Sequence, residues 1–535
     1  MKNTRPFYLS SILALALASC GGTQKMVTVD AAKVDQMPLK TTKLTDKQLQ
    51  RWSHLDLAKD TVPGMSVDKA YAELLKGKKV NKIIVAVVDS GIDIEHEDLK
   101  ANIWTNPKEI AGNKKDDDNN GYVDDLHGWN FLGDSDNEQL ELTRIVKKGN
   151  DGSVQYENAL AELTKKKSEL DPQKQQLDMI LAADAAVTKQ LGKSNYTLAE
   201  VKAIKATDQG MMQSQAIISQ ILAQFPDKKA FDNEMKEYKE YVYDQLNYNL
   251  NVEFDGRKLV GDNPNDINDK KYGNANVIGP KKESGKHGTH VAGIIAQVRG
   301  NGKGGDGVAS DVVKIMACRA VPNGDEYDKD IALAIRYAVD NGAKVINGSF
   351  GKSFSPNKQW VYDAIKYAES KDVLFVHAAG NDAEDIDVEN NFPNDAEPKG
   401  PEFADNVLTI GALNYEYGSG LMANFSNYGK ENVDIFAPGV KIYATTPNNT
   451  YEYLQGTSMA SPNVAGVAAL IRAYYPSLTA SQVKHIIMDS GTPLNNTIIL
   501  AGESGGQTTL SKISKTGKIV NAYNALILAE KTVKK

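Results

Sequence analysis

The chain has 535 residues, more than one compact hydrophobic core usually supports, so we expect several units or one large domain with insertions. Hydrophobic residues make up 41% of the chain and charged residues 24%, which are ordinary values for a globular protein. The net charge of −7 and the lack of a basic patch argue against a nucleic-acid partner, because phosphate binding needs clustered lysines and arginines.

The chain begins with features of an export signal. A basic start precedes an apolar run at residues 12–18, which is too short to span a membrane. The small-residue sequence at 17–20 resembles a bacterial lipobox. This resemblance implies that residues 1–19 are a lipoprotein signal peptide and that Cys20 becomes a lipidated N-terminus, anchoring an exported protein to the periplasmic or surface face of a bacterial membrane. The alternative is a plain signal peptide with an incidental cysteine.

Residues 20–45 are polar and mixed in composition, so we expect a tether there and an ordered domain from about residue 46. An unbroken β-branched run at residues 83–88 then predicts a central parallel strand that ends at Asp89. Open α/β sheets place their chemistry at the carboxyl ends of strands, which makes Asp89 a catalytic candidate. A helix-capping role is the alternative for this aspartate.

The acidic segment 116–125 has oxygen-bearing residues at alternate positions and a glycine at its sixth position, as in a calcium-binding loop. The spacing predicts ligands for one hard cation, with calcium the natural candidate: Asp116, Asp118, Asn120 and the carbonyl of Tyr122. His127 occupies the twelfth position, where a bidentate glutamate belongs, so Asp124 or Asp125 must complete the shell or the site is weak. A solvated acidic turn is the alternative.

Residues 138–275 differ in composition from the rest of the chain. They contain long amphipathic segments rich in lysine, glutamate, glutamine and alanine, which predict a helical hairpin or a small bundle. Its charged stripes are most simply solvated faces, and it contains no metal or cofactor motif.

The segment 286–296 predicts a helix of small residues that begins near His287 and carries His290 one turn later. The two histidines are three residues apart, as zinc ligands can be, but no glutamate completes an H-E-x-x-H arrangement. We therefore expect His290 to be buried and hydrogen-bonded and His287 to face a site. Gly288 and Gly293 allow this helix to pack closely on a sheet.

Three more strand-like runs, at residues 312–317, 344–347 and 373–377, alternate with predicted helices. This order predicts an α/β fold with a three-layer, doubly wound, mainly parallel sheet. Asn381 follows the last of these runs at a strand's carboxyl end, where its amide N–H could stabilise a developing oxyanion.

The sequence at 456–462 places Ser458, among small residues, at the start of an apolar, alanine-rich helix. A serine presented at a helix N-terminus in this way is a candidate nucleophile. The alternative is a core helix with Ser458 as its N-cap.

Taken together, residues 89–91, 287–293 and 456–462 resemble the three signatures of the subtilisin-like serine peptidases, in that family's Asp, His, Ser order. Residues 379–381 lie between the second and third signatures and strengthen the resemblance. It implies a serine endopeptidase that hydrolyses protein or peptide substrates through an acyl-enzyme intermediate.

By this resemblance, the peptidase domain has a first part at 46–137 and a second part at 276–535, separated by the helical insertion at 138–275. The triad aspartate and histidine are therefore much farther apart in sequence than is usual for the family. Because the insertion ends about ten residues before His287, we hypothesise that it packs beside the cleft and restricts access to it.

The resemblance also implies individual roles. Ser458 attacks the peptide carbonyl, His287 transfers the proton, and Asp89 orients the imidazole, while Asn381 and the Ser458 N–H bind the oxyanion. The implied substrate-binding residues are Ser349, Phe350, Gly351, Ala379 and Gly380. Gly348 replaces a bulkier residue often found in the family, which leaves the side-chain preference open.

Two other classes of function remain. A catalytically dead binding scaffold usually lacks a triad residue, and none is missing here. The second alternative is a lipoprotein whose helical insertion binds a protein partner, with proteolysis secondary or regulatory.

Overall fold

The computed structural model describes residues 43–78, 80, 82–396, 400–502 and 505–534. The predicted signal peptide, Cys20 and most of the predicted tether lie outside these residues, so the statements about them stay predictions. Among the described helices, none combines the length and apolar character needed to cross a membrane.

The fold is built on one large sheet at whose edge the candidate residues lie. The strands of the described chain are β1 Ile83–Asp89, β2 Gly128–Asn130, β3 Val313–Arg319, β4 Ala343–Gly348, β5 Leu374–Ala378, β6 Val407–Leu413, β7 Ile435–Pro438, β8 Ile442–Thr446, β9 Thr450–Leu454, β10 Thr492–Pro493, β11 Ile498–Ile499, β12 Gln507–Thr508 and β13 Lys518–Ile519. Nine strands form this sheet in the order β10-β13-β7-β6-β5-β4-β1-β3-β2, and only the β10–β13 pair is antiparallel.

The direction of winding reverses at β1. From β1 the chain extends the sheet to one side through β2 and β3, and it then returns to place β4 against the opposite edge of β1. Such a reversal leaves a crevice at the carboxyl ends of the strands, where open α/β sheets bind ligands. Asp89, the last residue of β1, lies at this crevice.

Helices cover both faces of the sheet and fill the segment between β2 and β3. The α-helices of the described chain are α1 Asp46–Leu49, α2 Leu57–Asp60, α3 Val67–Ala70, α4 Glu141–Lys148, α5 Val154–Leu191, α6 Leu198–Lys202, α7 Gln209–Leu222, α8 Lys228–Asp244, α9 Arg257–Val260, α10 Lys286–Ala296, α11 Asp328–Asp340, α12 Lys358–Ser370, α13 Thr457–Tyr474, α14 Ala480–Ser490, α15 Leu510–Ile513 and α16 Ala522–Val533. Short 3₁₀ turns occur at Trp52–His54, Lys100–Asn102 and Lys282–Gly285, and π turns at Tyr71–Leu75 and Gln245–Asn249.

Alternate residues of β1 face two different cores. Val85 and Val87 pack in a cluster that includes the buried faces of α10 and α13, whereas Ala86 and Val88 pack in a second cluster with α11 and α12. A strand buried on both faces is hydrophobic at every position, which explains the unbroken apolar run of β1. The predicted three-layer, doubly wound, mainly parallel fold is confirmed.

Helix α10 lies unusually close to the strand ends because two of its residues have no side chain. A Cβ atom added to Gly288 would lie 2.3 Å from the carbonyl oxygen of Gly91, and one added to Gly293 would lie 2.2 Å from Oγ1 of Thr445. Both distances are far below van der Waals contact, so only glycine fits at these positions. This approach brings the first turn of α10 against the end of β1.

The predicted helical segment at 138–275 contains helices α4 to α9. Its apolar residues form two small clusters that are separate from the two cores of the sheet. One cluster includes Leu142 and Leu163 and also contacts Phe354, which follows β4. The segment therefore has its own packing and rests against the α/β core.

Candidate active site

Three elements bring Asp89, His287 and Ser458 to one edge of the sheet. Asp89 is the last residue of β1, His287 is the second residue of α10, and Ser458 is the second residue of α13. The N-cap of α13 is Gly456, so the alternative interpretation of Ser458 as a helix cap is wrong. Ser458 instead lies in the first turn of a helix that is buried along almost its whole length.

His287 and Asp89 form a direct pair. His287 Nδ1 lies 2.7 Å from Asp89 Oδ1, which also accepts a hydrogen bond from the Ser90 N–H at 2.7 Å. Asp89 is 1% exposed, while the side chain of His287 is 39% exposed and reaches the cleft. Burial by itself lowers the pKa of His287, but the charge of Asp89 and its hydrogen bond outweigh burial, so the pKa lies above its usual value.

Ser458 lies half-buried beside the residues that follow β4. Its Oγ donates a hydrogen bond to the carbonyl oxygen of Ser349 at 3.3 Å, and Ser349 Oγ donates to the Ser458 carbonyl at 2.9 Å. Within the described residues, no hydrogen bond joins Ser458 Oγ to His287. Catalytic hydrogen bonds are often long or misaligned before substrate binds, so this side-chain orientation is compatible with a nucleophile.

Asn381 lies beside the first turn of α13, where Thr457 holds its side-chain amide. Its Oδ1 accepts hydrogen bonds from the N–H of Thr457 at 2.8 Å and from Thr457 Oγ1 at 3.0 Å. The Cβ position built on Gly456 lies 3.5 Å from both Asn381 Nδ2 and the backbone nitrogen of Ser458. Both nitrogens therefore lie close to the Gly456 backbone at the start of α13.

Beside these residues lies a cleft of about 790 Å³. Ser349, Phe350 and Gly351 line it together with Asp89 and His287, as the sequence predicts.

Ala379 and Gly380 lie outside this lining. Ala379 is buried, and its carbonyl oxygen accepts hydrogen bonds from the side-chain amides of Asn391 and Asn427. The N–H of Gly380 donates to Thr457 Oγ1 at 3.0 Å. These two residues hold the segment that carries Asn381 in place.

The predicted helical insertion supplies one wall of the cleft, through Glu240 and Asp244 of α8 and Tyr248 of the following π turn. Asn323 Nδ2 donates to Asp244 Oδ2 at 2.7 Å and ties α8 to the segment after β3. The insertion therefore packs beside the cleft, as hypothesised from its position in the sequence, and its effect on access stays a prediction. The individual acidic residues were not singled out, because an acidic stripe on a helix usually faces solvent.

His290 is buried, as expected. Its Nε2 lies 3.0 Å from the carbonyl oxygen of Ile442 and 3.1 Å from that of Glu452. Burial lowers the pKa of His290 to about 3, so the ring is neutral. It supports the helix and takes no part in the site.

Part of the predicted cation loop converges on one point. Carboxylate oxygens of Asp116 and Asp118 lie within 4.8 Å of each other and of an oxygen of Glu109, which the sequence analysis missed. Glu109 is 8% exposed, and its Oε2 is buried without a hydrogen-bond partner. Glu109 precedes the loop by seven residues, so no spacing rule of the loop points to it.

Asp124 and Asp125 do not belong to this group of carboxylates, and the roles of Asn120 and the Tyr122 carbonyl stay predictions. Asn120 Oδ1 accepts from the N–H of Tyr122 at 2.8 Å. Asp124 Oδ2 accepts from the N–H of Lys114 at 2.9 Å, and Asp125 Oδ2 accepts from the Tyr337 hydroxyl at 2.6 Å. Burial raises the pKa of Asp125 to about 6.

The fold and the site together define a class of proteins: α/β folds, as in many hydrolases, with an Asp–His pair and a serine at the switch point of the sheet. Comparisons with known proteins identify the family within this class. Residues 80–509 match the model of the subtilase family. The chain belongs to this family.

Individual relatives share more than a third of their aligned residues with the chain. A thermophilic serine proteinase of Bacillus sp. (strain AK1) is 39% identical over 246 residues, which are 45% of this chain and 52% of that protein. Subtilisin DY of Bacillus licheniformis is 37% identical over 211 residues, or 39% of this chain and 72% of the relative. Thermitase of Thermoactinomyces vulgaris is 35% identical over 246 residues, which are 45% of this chain and 74% of thermitase. The chain thus matches about half the length of the first of these.

The Asp89–His287 pair makes a prediction that an NMR titration can check. Asp89→Asn removes the carboxylate charge that favours the imidazolium, so only burial remains and the pKa of His287 falls below its ordinary value. In Asp98→Asn, where the lost carboxylate binds Asn301 instead, the pKa of His287 stays raised. An unchanged His287 pKa in Asp89→Asn would show that the pair does not control this histidine.

Proposed function

We propose that this protein is a serine endopeptidase in which Asp89, His287 and Ser458 form the catalytic triad. The observation that carries the proposal is the 2.7 Å contact of His287 with Asp89 beside a serine in the first turn of a buried helix. Membership of the subtilase family and similarity to serine proteinases support it. Nothing in the comparisons favours the alternative of a partner-binding lipoprotein.

The first half of the reaction forms an acyl-enzyme. Ser458 Oγ leaves the Ser349 carbonyl, turns toward His287 and attacks the carbonyl carbon of the substrate, while His287 Nε2 takes the hydroxyl proton. Asp89 accepts the hydrogen bond of Nδ1–H, which fixes the tautomer and stabilises the imidazolium. His287 then protonates the amine as the C–N bond breaks. Water, deprotonated by His287, hydrolyses the ester and restores Ser458.

Asn381 Nδ2 and the Ser458 N–H stabilise the oxyanion of each tetrahedral intermediate. Because Thr457 already holds Asn381 Oδ1, the amide is oriented before substrate arrives and loses little freedom on binding. The backbone at Ser349, Phe350 and Gly351 pairs with the peptide or protein substrate as an added strand.

The acidic loop holds a structural calcium ion. Glu109, Asp116 and Asp118 supply carboxylate oxygens, the ligand type that calcium prefers. Glu109 Oε2 supports this assignment, because a buried carboxylate oxygen without a partner is costly unless a cation satisfies it. The ion would fix the loop that precedes β2.

A lipid on Cys20 anchors the exported protein to a bacterial membrane. The support is the lipobox-like sequence at 17–20. An alkyne fatty acid fed to expressing cells should label the wild type and leave Cys20→Ser unlabelled. Label retained in Cys20→Ser would refute the anchor.

Substitution of the nucleophile tests the proposed reaction. In Ser458→Ala, kcat on a peptide library should fall on the order of 10⁴-fold or more, the scale at which triad serines contribute in this family. Ser168→Ala, an exposed serine on α5, serves as the matched control and should keep wild-type rates. Equal cleavage by wild type and Ser458→Ala would rule out Ser458 as the nucleophile.

Calcium removal tests the loop. An ion bound to the folded state at 100 times its Kd adds about 2.7 kcal/mol to the free energy of unfolding, so a chelator should lower the melting temperature of the wild type. In Glu109→Gln the chelator should have little effect, while Asp151→Asn, an exposed aspartate before α5, should respond as the wild type does. A wild-type melting temperature that changes neither with chelator nor with added calcium would contradict a structural ion.

A further inference from the structure

The cleft next to Ser349 and Phe350 carries an excess of acidic side chains. Besides Asp89, six carboxylates line it: Asp136, Glu240, Asp244, Glu283, Asp325 and Glu326. The cationic side chains in the lining, apart from His287, are Lys281, Lys286 and Arg319. Two of these are already paired, Arg319 with Asp136 at 2.8 Å and Lys286 with Glu452 at 2.5 Å.

Glu326 is the one of these carboxylates whose surroundings point to a ligand. The residue is 3% exposed, yet its carboxylate makes no hydrogen bond or ion pair with another residue of the described chain, and it borders the cleft beside Phe350. Burial raises the pKa of Glu326 to about 7. A buried carboxylate without a partner is stabilised when a cation enters and pairs with it.

The cations behind Glu326 are already engaged. Arg144 lies 2.5 Å from Glu141, and Lys352 lies 2.9 Å from both Glu141 and Asp328. Arg144 and Lys352 also donate to the backbone carbonyl of Glu326, at 3.2 Å and 2.7 Å. These contacts hold the backbone of Glu326 at the lining of the cleft, and both cations have other carboxylate partners.

Helix α8 adds acidic side chains to the lining of the same cleft. Glu240 and Asp244 lie on α8, which Asn323 holds through its 2.7 Å hydrogen bond to Asp244. A cleft lined by one sign of charge between low-dielectric walls concentrates ligands of the opposite sign. A lysine or arginine side chain that enters this cleft meets the acidic residues of α8 as well as Glu326.

We propose that Glu326, assisted by Glu240 and Asp244 in the lining of the same cleft, selects peptide substrates that carry a lysine or arginine side chain near the scissile bond. This inference rests on the proposed peptidase function and names its substrate class. The ammonium or guanidinium group donates charge-assisted hydrogen bonds to the Glu326 carboxylate, which are stronger than bonds between neutral groups.

Paired peptide series test this preference on the mature full-length protein. The peptides are identical except for lysine or glutamine at one position, scanned along the sequence, and the ratio of the two kcat/KM values is measured. At one position the wild type should favour lysine by about tenfold or more. Glu326→Gln should reduce that ratio to about one, because the amide carries no charge.

A second variant and a control complete the experiment. Glu240→Gln changes an exposed residue and should lower the ratio about two- to threefold, and added salt should lower it further in the wild type. Glu157→Gln, an exposed glutamate in the first turn of α5, removes the same charge elsewhere and should leave the ratio unchanged. If Glu326→Gln does not fold, the lysine-to-glutamine ratio of Glu240→Gln and the salt dependence of the wild-type ratio decide whether the inference stands.

The outcomes separate the two proposals. A wild type that cleaves peptides with no preference for lysine overturns the inference and leaves the peptidase function standing. A folded Glu326→Gln that keeps the full lysine preference also overturns it. A wild type that cleaves nothing and forms no adduct with a serine-directed fluorophosphonate defeats the proposed function itself.

Discussion

The contact between helix α10 and the end of β1 is the constraint on which the site depends. Gly288 lies so close to the carbonyl of Gly91 that a Cβ atom would meet it at 2.3 Å. This approach puts Nδ1 of His287 2.7 Å from Oδ1 of Asp89, although the two residues are 198 positions apart in the chain. A larger residue at 288 would separate the two elements, and the pair that raises the pKa of His287 would be lost.

The sheet topology explains why so many functional groups meet there. Since the winding reverses at β1, the segments that follow β3 and β4 diverge on either side of Asp89 and leave the cleft between them. Ser349 comes from one segment and Glu326 from the other. Helix α8 lines one part of this space, so a segment outside the α/β core contributes to the cleft beside Asp89 and His287.

The sequence predicted those features that local patterns encode. The β-branched run of β1, the glycines of α10 and the small residues around Ser458 predicted both the elements and the residues at their ends. Two contributions were not identified from the sequence, because neither follows from a spacing rule. Glu109 meets the acidic loop through tertiary folding, and the acidic stripe of α8 has the composition of a solvated helix face.

The orientation of the side chains in the site also could not be predicted from the sequence. The spacing of the motifs does not say that Ser458 Oγ contacts the carbonyl of Ser349 and not His287. Nor does it say that Ala379 and Gly380 brace the segment of Asn381 and leave the lining of the cleft to other residues. Rotamers and hydrogen-bond partners follow from packing, which depends on the whole fold.

The central claim is that His287 activates Ser458. Its most direct test is the rate at which a fluorophosphonate forms a covalent adduct, with the modified residue located by peptide mass mapping. The account predicts a single adduct on Ser458 in the wild type and a rate lower by several orders of magnitude in His287→Ala. An adduct on a different serine, or equal rates in wild type and His287→Ala, would contradict it.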